Sequence, residues 1–423
     1  MNRLKVFLLS LLLAGAIVAP VAASPPSREL TPAERQRVFE RTWSLVNELY
    51  YDTRYNGVDW KAVRTRYQPL VAAVRDAAEF YALMGEMVGE LHDEHSRFLS
   101  PEAAHLNSLF TGEMNALRGG FMVAPVTGGG ALVWRVAKGS VEEAAGLRRG
   151  DIITALNDSD DDLLYRLRGL TARAGETITF TVERYGQSPT NLAVTYQPGG
   201  VRFPIAARRL PGTRIGYIDV PTFFGDGVGD EIRTAIRALE SKGVLEGLIL
   251  DLRSNNGGSN AAANATLRLF LRQQEDEFRC FRWRGTPPPY ACPDQPDTAR
   301  PPWPDLPLAV LTNGHAESNG DMVPAILQYY GRALIVGEHT LGNTEMINEY
   351  TLDDNGAKVR VAIAMAVLPD GRSIEGVGVQ PDIPVWLGRW DLAQGRDPTL
   401  EAAVMALRGG RAWGMPRAIA LAD

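Results

Sequence analysis

Apolar and polar residues alternate with a period that changes along the chain. In residues 31–50, Val38, Phe39, Trp43, Val46 and Leu49 recur at near-helical spacing. Thr31-Pro32-Ala33-Glu34 before them is a capping box with proline at the first helical position, so a helix is expected to about Tyr50. A second helical run covers residues 80–91, and the apolar stripes of both read as core. From about Arg118 the texture turns to short β-type runs at 121–126, 132–136, 152–156, 178–182 and 192–196, with one helical run at 163–168. After Val201 strand and helix alternate: strand 214–220, helix 229–242, strands 247–252 and 308–312, helix 322–330 and strand 333–337. A strand at 359–367 follows, and Asp397-Pro398-Thr399-Leu400-Glu401 caps a last helix. Such alternation predicts an α/β layer with helices packed on a sheet, within a multidomain chain of mixed α and β structure.

The chemistry gathers in that last region. Residues 309–322 read A-V-L-T-N-G-H-A-E-S-N-G-D-M, strand character running into a polar turn from which Ser318 opens a helix. A serine there has its hydroxyl raised at the end of a sheet beside the free N–H groups of a helix start, which suits a nucleophile facing an oxyanion. Capping the helix is its plainer role. Upstream, D-L-R-S-N-N-G-G at 251–258 places Gly257 and Gly258 after a strand, where glycine permits close backbone approach. A purely structural turn is the alternative, and Asp251 and Arg253 read as a pair bracing it. His92 and His95 stand among acids in L-H-D-E-H-S-R-F-L-S-P, 91–101, but no third ligand follows at a usual metal spacing, so no metal site is expected.

Composition and termini narrow the class further. At 423 residues with 45% hydrophobic content, the chain is long enough for two or three cored domains. Residues 1–23 start with Arg3 and Lys5, pass through an apolar run and end in Val21-Ala22-Ala23, the form of a cleaved export signal. The apolar run falls short of the roughly 20 residues that span a bilayer, so no membrane span is expected after its removal. The net charge of −6 then becomes −8, which gives no electrostatic reason to hold nucleic acid. Cys280 and Cys292 flank a Pro- and Arg-rich insertion, and in an oxidising compartment such a pair is expected to form one disulfide.

Residues 118–198, with G-S-V-E-E-A-A-G-L-R-R-G-D-I-I between the short strands, resemble a PDZ domain. That resemblance implies capture of an extended peptide C-terminus as an added strand, its carboxylate held by the loop Arg118-Gly119-Gly120-Phe121-Met122. Five stretches fall in order: D-E-H-S-R-F at 93–98, the PDZ-like module, D-L-R-S-N-N-G-G at 251–258, H-A-E-S-N-G-D-M at 315–322 and I-E-G-V-G-V-Q-P-D at 374–382. Together they resemble the C-terminal processing (tail-specific) serine peptidases, over roughly residues 33–386. The resemblance implies an endopeptidase acting on polypeptides through their C-termini, without cofactor. It divides the chain into a signal peptide (1–23), a helical region (28–117), the PDZ-like module (118–198), a crotonase-like α/β core (200–390) and a C-terminal helical tail (391–423). By the match Ser318 is the nucleophile, and the N–H of Gly257 or Gly258 and that of Asn319 are the oxyanion donors.

The chain departs from the family pattern at the general base. Most processing peptidases carry a lysine about 25 residues after the serine in a T-x-G-K stretch, where burial lowers its pKa. Here the stretch reads Thr340-Leu341-Gly342-Asn343, and an amide cannot accept the serine proton. Ile347 stands where a glutamine is usual. The pattern is similar instead to tricorn-type relatives, which implies a Ser–His–Glu triad of Ser318, His95 and Glu375. Imidazole titrates near neutrality, and a carboxylate on its other nitrogen fixes its tautomer. His315 and His339 are alternative bases. A relative without catalysis that binds C-terminal tails as an adaptor is the alternative function.

Overall fold

The computed structural model describes residues 29–409, apart from 94, 105–119, 162, 169, 171, 173–174, 197–202, 272–279 and 286–300. The expected export signal and His105 therefore lie outside the described residues, as do Arg118, Gly119 and Cys292.

Among the described residues, the helical start holds three long helices, α1 (Pro32–Leu49), α2 (Trp60–Ala73) and α3 (Ala77–Gly89). Thr31 and Glu34 close the expected box, the Thr31 side chain accepting from the Glu34 N–H while the Glu34 carboxylate takes the Thr31 N–H. The hydrophobic pattern does not announce α2. Trp60, Val63, Tyr67 and Val71 form its buried stripe, but Pro69 sits inside it, so its start rests on the Asp59 cap. These helices do not form a core alone. Phe39, Trp60, Phe80, Met84 and Leu91 pack on Val359, Val361 and Ala362 of strand β14 (Lys358–Val367). Strand β1 (Arg97–Leu99) pairs antiparallel with the same strand, Phe98 opposite Val359, which brings His95 and Ser96 to the edge of that sheet.

Strands β2 (Phe121–Pro125), β3 (Ala131–Val136), β4 (Ile152–Leu156), β5 (Thr177–Glu183) and β6 (Thr190–Thr195) make one antiparallel sheet in sequential order. Helices α4 (Val141–Ala144) and α5 (Leu163–Arg168) accompany it, and its core is its own: Phe121, Val133, Ile153, Phe180, Val182 and Val194.

The mixed α/β class holds in a six-stranded sheet ordered β15-β12-β11-β9-β8-β7. These are β7 (Ala206–Arg209), β8 (Ile215–Asp219), β9 (Gly247–Asp251), β11 (Leu308–Thr312), β12 (Leu334–Gly337) and β15 (Ile383–Pro384). All pairs are parallel except β7 with β8. Alternate residues serve opposite faces, as strand period requires. Ile218, Leu248, Leu250, Val310 and Ile335 face α6 (Val228–Glu240), α7 (Asn260–Leu267) and α8 (Asn319–Tyr329). Ile215, Ile249, Ala309, Leu311 and Val336 face α9 (Pro398–Arg408). Strands β10 (Cys280–Trp283) and β13 (Glu345–Thr351) flank β14 in a third sheet.

Candidate active site

Ser318 stands between β11 and α8 with φ 57° and ψ −118°, a conformation that is costly for any residue but glycine. Although it occupies the N-cap position, its side chain makes no capping hydrogen bond. The backbone is held instead. The Ser318 N–H donates to the Asn343 carbonyl at 2.8 Å, and its own carbonyl accepts from Asp321 and Met322. The 251–258 turn presses on it from the other side. A Cβ at Gly257 would lie 2.5 Å from Ser318 Cβ and 2.8 Å from its Oγ, and one at Gly320 would lie 2.2 Å from the Asn255 carbonyl oxygen. Only glycine admits this contact at either position.

The two glycines of the turn differ in use. The Gly257 N–H donates to Asn255 Oδ1 at 2.9 Å and is thereby spent. Among the described residues, the N–H groups of Gly258 and Asn319 meet no acceptor. The Asn319 side chain donates to the Gly258 carbonyl at 2.8 Å, so those two positions are tied together. Behind the turn, Arg253 and Asp251 form a fully buried pair, Nη2 to Oδ2 at 2.6 Å, and Arg253 also reaches Asp397 at 2.8 Å. Burial opposes the Asp251 charge, yet the guanidinium beside it holds the carboxyl well below the usual range.

The stretch that lacks the lysine is packed backbone to backbone. Asp321, buried in the first turn of α8, accepts from the N–H groups of Gly342 (2.9 Å) and Asn343 (3.0 Å). Burial pushes its carboxyl up to about 7, against the pull of the Thr340 hydroxyl and those two N–H groups. Gly376 N–H donates to the Gly342 carbonyl at 2.7 Å, and Val379 N–H to Thr340 Oγ1 at 2.7 Å. The Asn343 amide donates to Glu317 at 3.5 Å, and its Oδ1 is buried with no partner among the described residues.

Glu375 lies on the turn packed against this stretch. Its Oε2 accepts from the N–H of Thr344 at 2.7 Å and from the Thr344 hydroxyl at 2.8 Å. The His95 N–H donates to Asp93 Oδ1 at 2.7 Å, Asp93 Oδ2 accepts from Ser96 Oγ at 2.6 Å, and Ser96 Oγ accepts from the β14 backbone at Ala362. The imidazole Nε2 is buried. Glu345, next to Thr344, feels both sides: burial, then Asp93 and Glu375, push its carboxyl up to about 10. The hydroxyls of Tyr50 and Tyr51 complete this neighbourhood, their pKa values raised by burial and by Asp93 or Glu345. The 342–345 stretch thus touches the segments around 318–321 and 374–378, and its Glu345 feels Asp93.

The other histidines are engaged locally. His315 is buried with its N–H on Asn313, and His339 Nδ1 lies 2.9 Å from the Thr340 carbonyl. In the antiparallel module, Gly120 sits under Ser140 and Glu142, where a Cβ would fall 2.2 Å from Ser140 Cβ. Phe121 packs edge-on against Phe180, and Met122 Sδ lies 3.5 Å from Arg135 Nη1. Cys280 is disulfide-bonded, and no cysteine among the described residues is free. Sequence reading missed Thr344, Asn255 and the brace made by Asp321. Only Asp321 left a trace, as the acid of H-A-E-S-N-G-D-M at 315–322.

Residues 214–385 match peptidase family S41, and residues 31–89 match the tricorn protease C1 domain. The carboxyl-terminal-processing protease of Synechocystis sp. is 29% identical over 413 residues, which cover 94% of this chain and 92% of that protein. These matches support a C-terminal-processing serine peptidase family for the chain. Carboxyl-terminal-processing peptidase 2 of Arabidopsis thaliana, a chloroplastic protein, is also 29% identical, over 89% of this chain and 74% of its own. The solved photosystem II D1 C-terminal processing protease shares the fold, with a TM-score of 0.64 at 24% identity over 89% of this chain and 98% of that one. Together the matches indicate a serine-type peptidase, and the protease homologues act on polypeptide substrates. Asn343 is held by its backbone on both sides, its carbonyl accepting from Ser318 and its N–H donating to Asp321.

Proposed function

We propose that this peptidase is an exported endopeptidase in which Ser318 attacks the peptide carbonyl, His95 takes the serine proton and Glu375 holds the imidazole. The observation that carries this reading is the uncapped Ser318 hydroxyl at a strained φ, beside amides of Gly258 and Asn319 that have no acceptor among the described residues. Attack moves negative charge onto the carbonyl oxygen, and those two amides are the donors positioned to receive it, each worth about 10²–10³ in rate. The Gly257 amide, already bonded to Asn255, is not one of them. Collapse of the adduct expels the amine, which takes its proton from the imidazolium, and water then clears the acyl group by the same path.

Substrate C-termini would add to β2. It is an edge strand starting just after Gly120, and α5 packs against it, which supports the strand-addition mode. The Ser254 hydroxyl takes the Val123 carbonyl further along that edge. Export is supported by the form of residues 1–23 and by the disulfide at Cys280.

Labelling with a fluorophosphonate probe tests the reading. Wild type is expected to form a covalent adduct on Ser318, and His95→Ala to form none. Asn343→Ala is expected to label like wild type, since the bracing there comes from backbone groups. The opposite behaviour of the two variants would overturn the assignment of His95 as base. Absence of any adduct on folded wild type would leave the tail-binding adaptor.

A further inference from the structure

Three consecutive residues do the joining at the place where the lysine is missing. The Gly342 carbonyl accepts from Gly376, on the turn that carries Glu375. The Asn343 carbonyl accepts from Ser318, while the N–H groups of Gly342 and Asn343 both go to Asp321 on the nucleophile's helix. Thr344 completes the set, with its N–H and its hydroxyl on one oxygen of Glu375 at 2.7 and 2.8 Å. A single N–H would let a carboxylate pivot about one bond. A second donor from the same residue, itself 6% exposed, fixes where that oxygen sits.

We propose that Thr344 is a positioning residue for the peptidase reaction. Its side chain holds the Glu375 carboxylate at a set distance from the serine segment, so that the stretch without a lysine has become the bracket between nucleophile and acid. This inference rests on the Ser–His–Glu reading above. It requires a hydroxyl at 344 and nothing more of the side chain: valine has the right shape and fails, serine has the hydroxyl and works.

The test compares Thr344→Val, Thr344→Ser and Glu375→Gln, with Thr344→Val also made in the Glu375→Gln background. Hydrolysis of fluorescein-labelled casein and the rate of Ser318 acylation by a fluorophosphonate are measured beside the thermal midpoint. Thr344→Val is expected to lower kcat and the limiting acylation rate by about 10- to 100-fold, the scale of a misplaced catalytic group, with KM nearly unmoved. Thr344→Ser should recover most of that loss. In the Glu375→Gln background the valine change should add nothing, because the group it positions is already disabled. Wild-type kcat in Thr344→Val, with Glu375→Gln impaired, overturns this inference and leaves the triad standing. Losses that multiply in the double variant overturn it too, since Thr344 would then act on something else. Undiminished kcat in Glu375→Gln removes the triad itself, and this inference with it.

Discussion

At the scale of single residues, the site is made by contacts that admit no added atom. Gly257→Ala would put a Cβ 2.5 Å from Ser318 Cβ at a φ of +80°, so either the turn or the serine must move. Activity is expected to fall by about 10² or more, as for other displacements of a reacting group, and casein hydrolysis by folded variant checks it. A titration at Asp321 gives a second test. Its folded pKa, about 7, lies above the value of an unfolded aspartate, about 3.9. The native state therefore holds the proton more tightly. The stability this adds is fully present below about pH 4 and is lost as pH rises through about 7, at up to about 1.4 kcal/mol per pH unit in between. Urea midpoints of wild type should fall as pH rises in this window, and those of Asp321→Asn should fall less steeply, the part that remains coming from Glu345, whose carboxyl is also pushed up. An unaltered slope in the variant would remove Asp321 as its source. The sequence singled out Ser318, His95 and Glu375 because each stands in a motif and the motifs follow one another in order. Thr344 and Asn255 were hidden because their partners, Glu375 and the Gly257 amide, are fixed only by the fold and no local pattern marks such a bond.

At the scale of elements, the long periodic segments were legible and the short or polar ones were not. Strands β8, β9 and β11 are buried runs bounded by turns, and their type is written in their residues. By contrast β13 is pinned by its pairing with β14, and its Glu345, Asn348 and Glu349 break any apolar alternation. In α7, Ala and Asn predominate, and burial comes from α6 lying close against it. That approach can be measured. A Cβ at Gly229 of α6 would sit 2.5 Å from Ala265 Cβ and 3.2 Å from backbone, so Gly229→Ala must push the helices apart. A loss of about 1–3 kcal/mol in unfolding free energy is expected, the range of overpacked cores. At Gly85 of α3 the same change meets nothing within 4 Å. There it should stabilise by about 0.5–1 kcal/mol through helix preference alone. Equal effects at the two sites would mean that α6 and α7 do not pack as closely as described.

At the scale of the whole molecule, one buried charge network ties the antiparallel module to the α/β core and to the last helix. Arg135 of β3 forms a two-pronged pair with Asp219 of β8 and donates to the Arg253 carbonyl at 2.8 Å. Arg253 lies 4.1 Å over the Trp134 ring and reaches Asp397, whose Oδ1 also caps α9 through the Leu400 N–H. No sequence pattern announces this, since its bonded pairs are up to 144 positions apart. The two ends of the Arg135 pair differ in burial: the arginine side chain is 9% exposed and the aspartate 20%. Removing the aspartate strands a guanidinium that water cannot reach, whereas removing the arginine leaves a carboxylate that can partly rehydrate. Asp219→Ala should therefore cost more, about 3–5 kcal/mol for an uncompensated buried charge, than Arg135→Met, where an apolar chain fills the space. The double variant should be more stable than Asp219→Ala alone, because the stranded charge is gone. Urea unfolding followed by tryptophan fluorescence orders the three. If Arg135→Met proved the costliest, the arginine would be holding the module by contacts other than this pair, and the network would be a consequence of the docking rather than its cause.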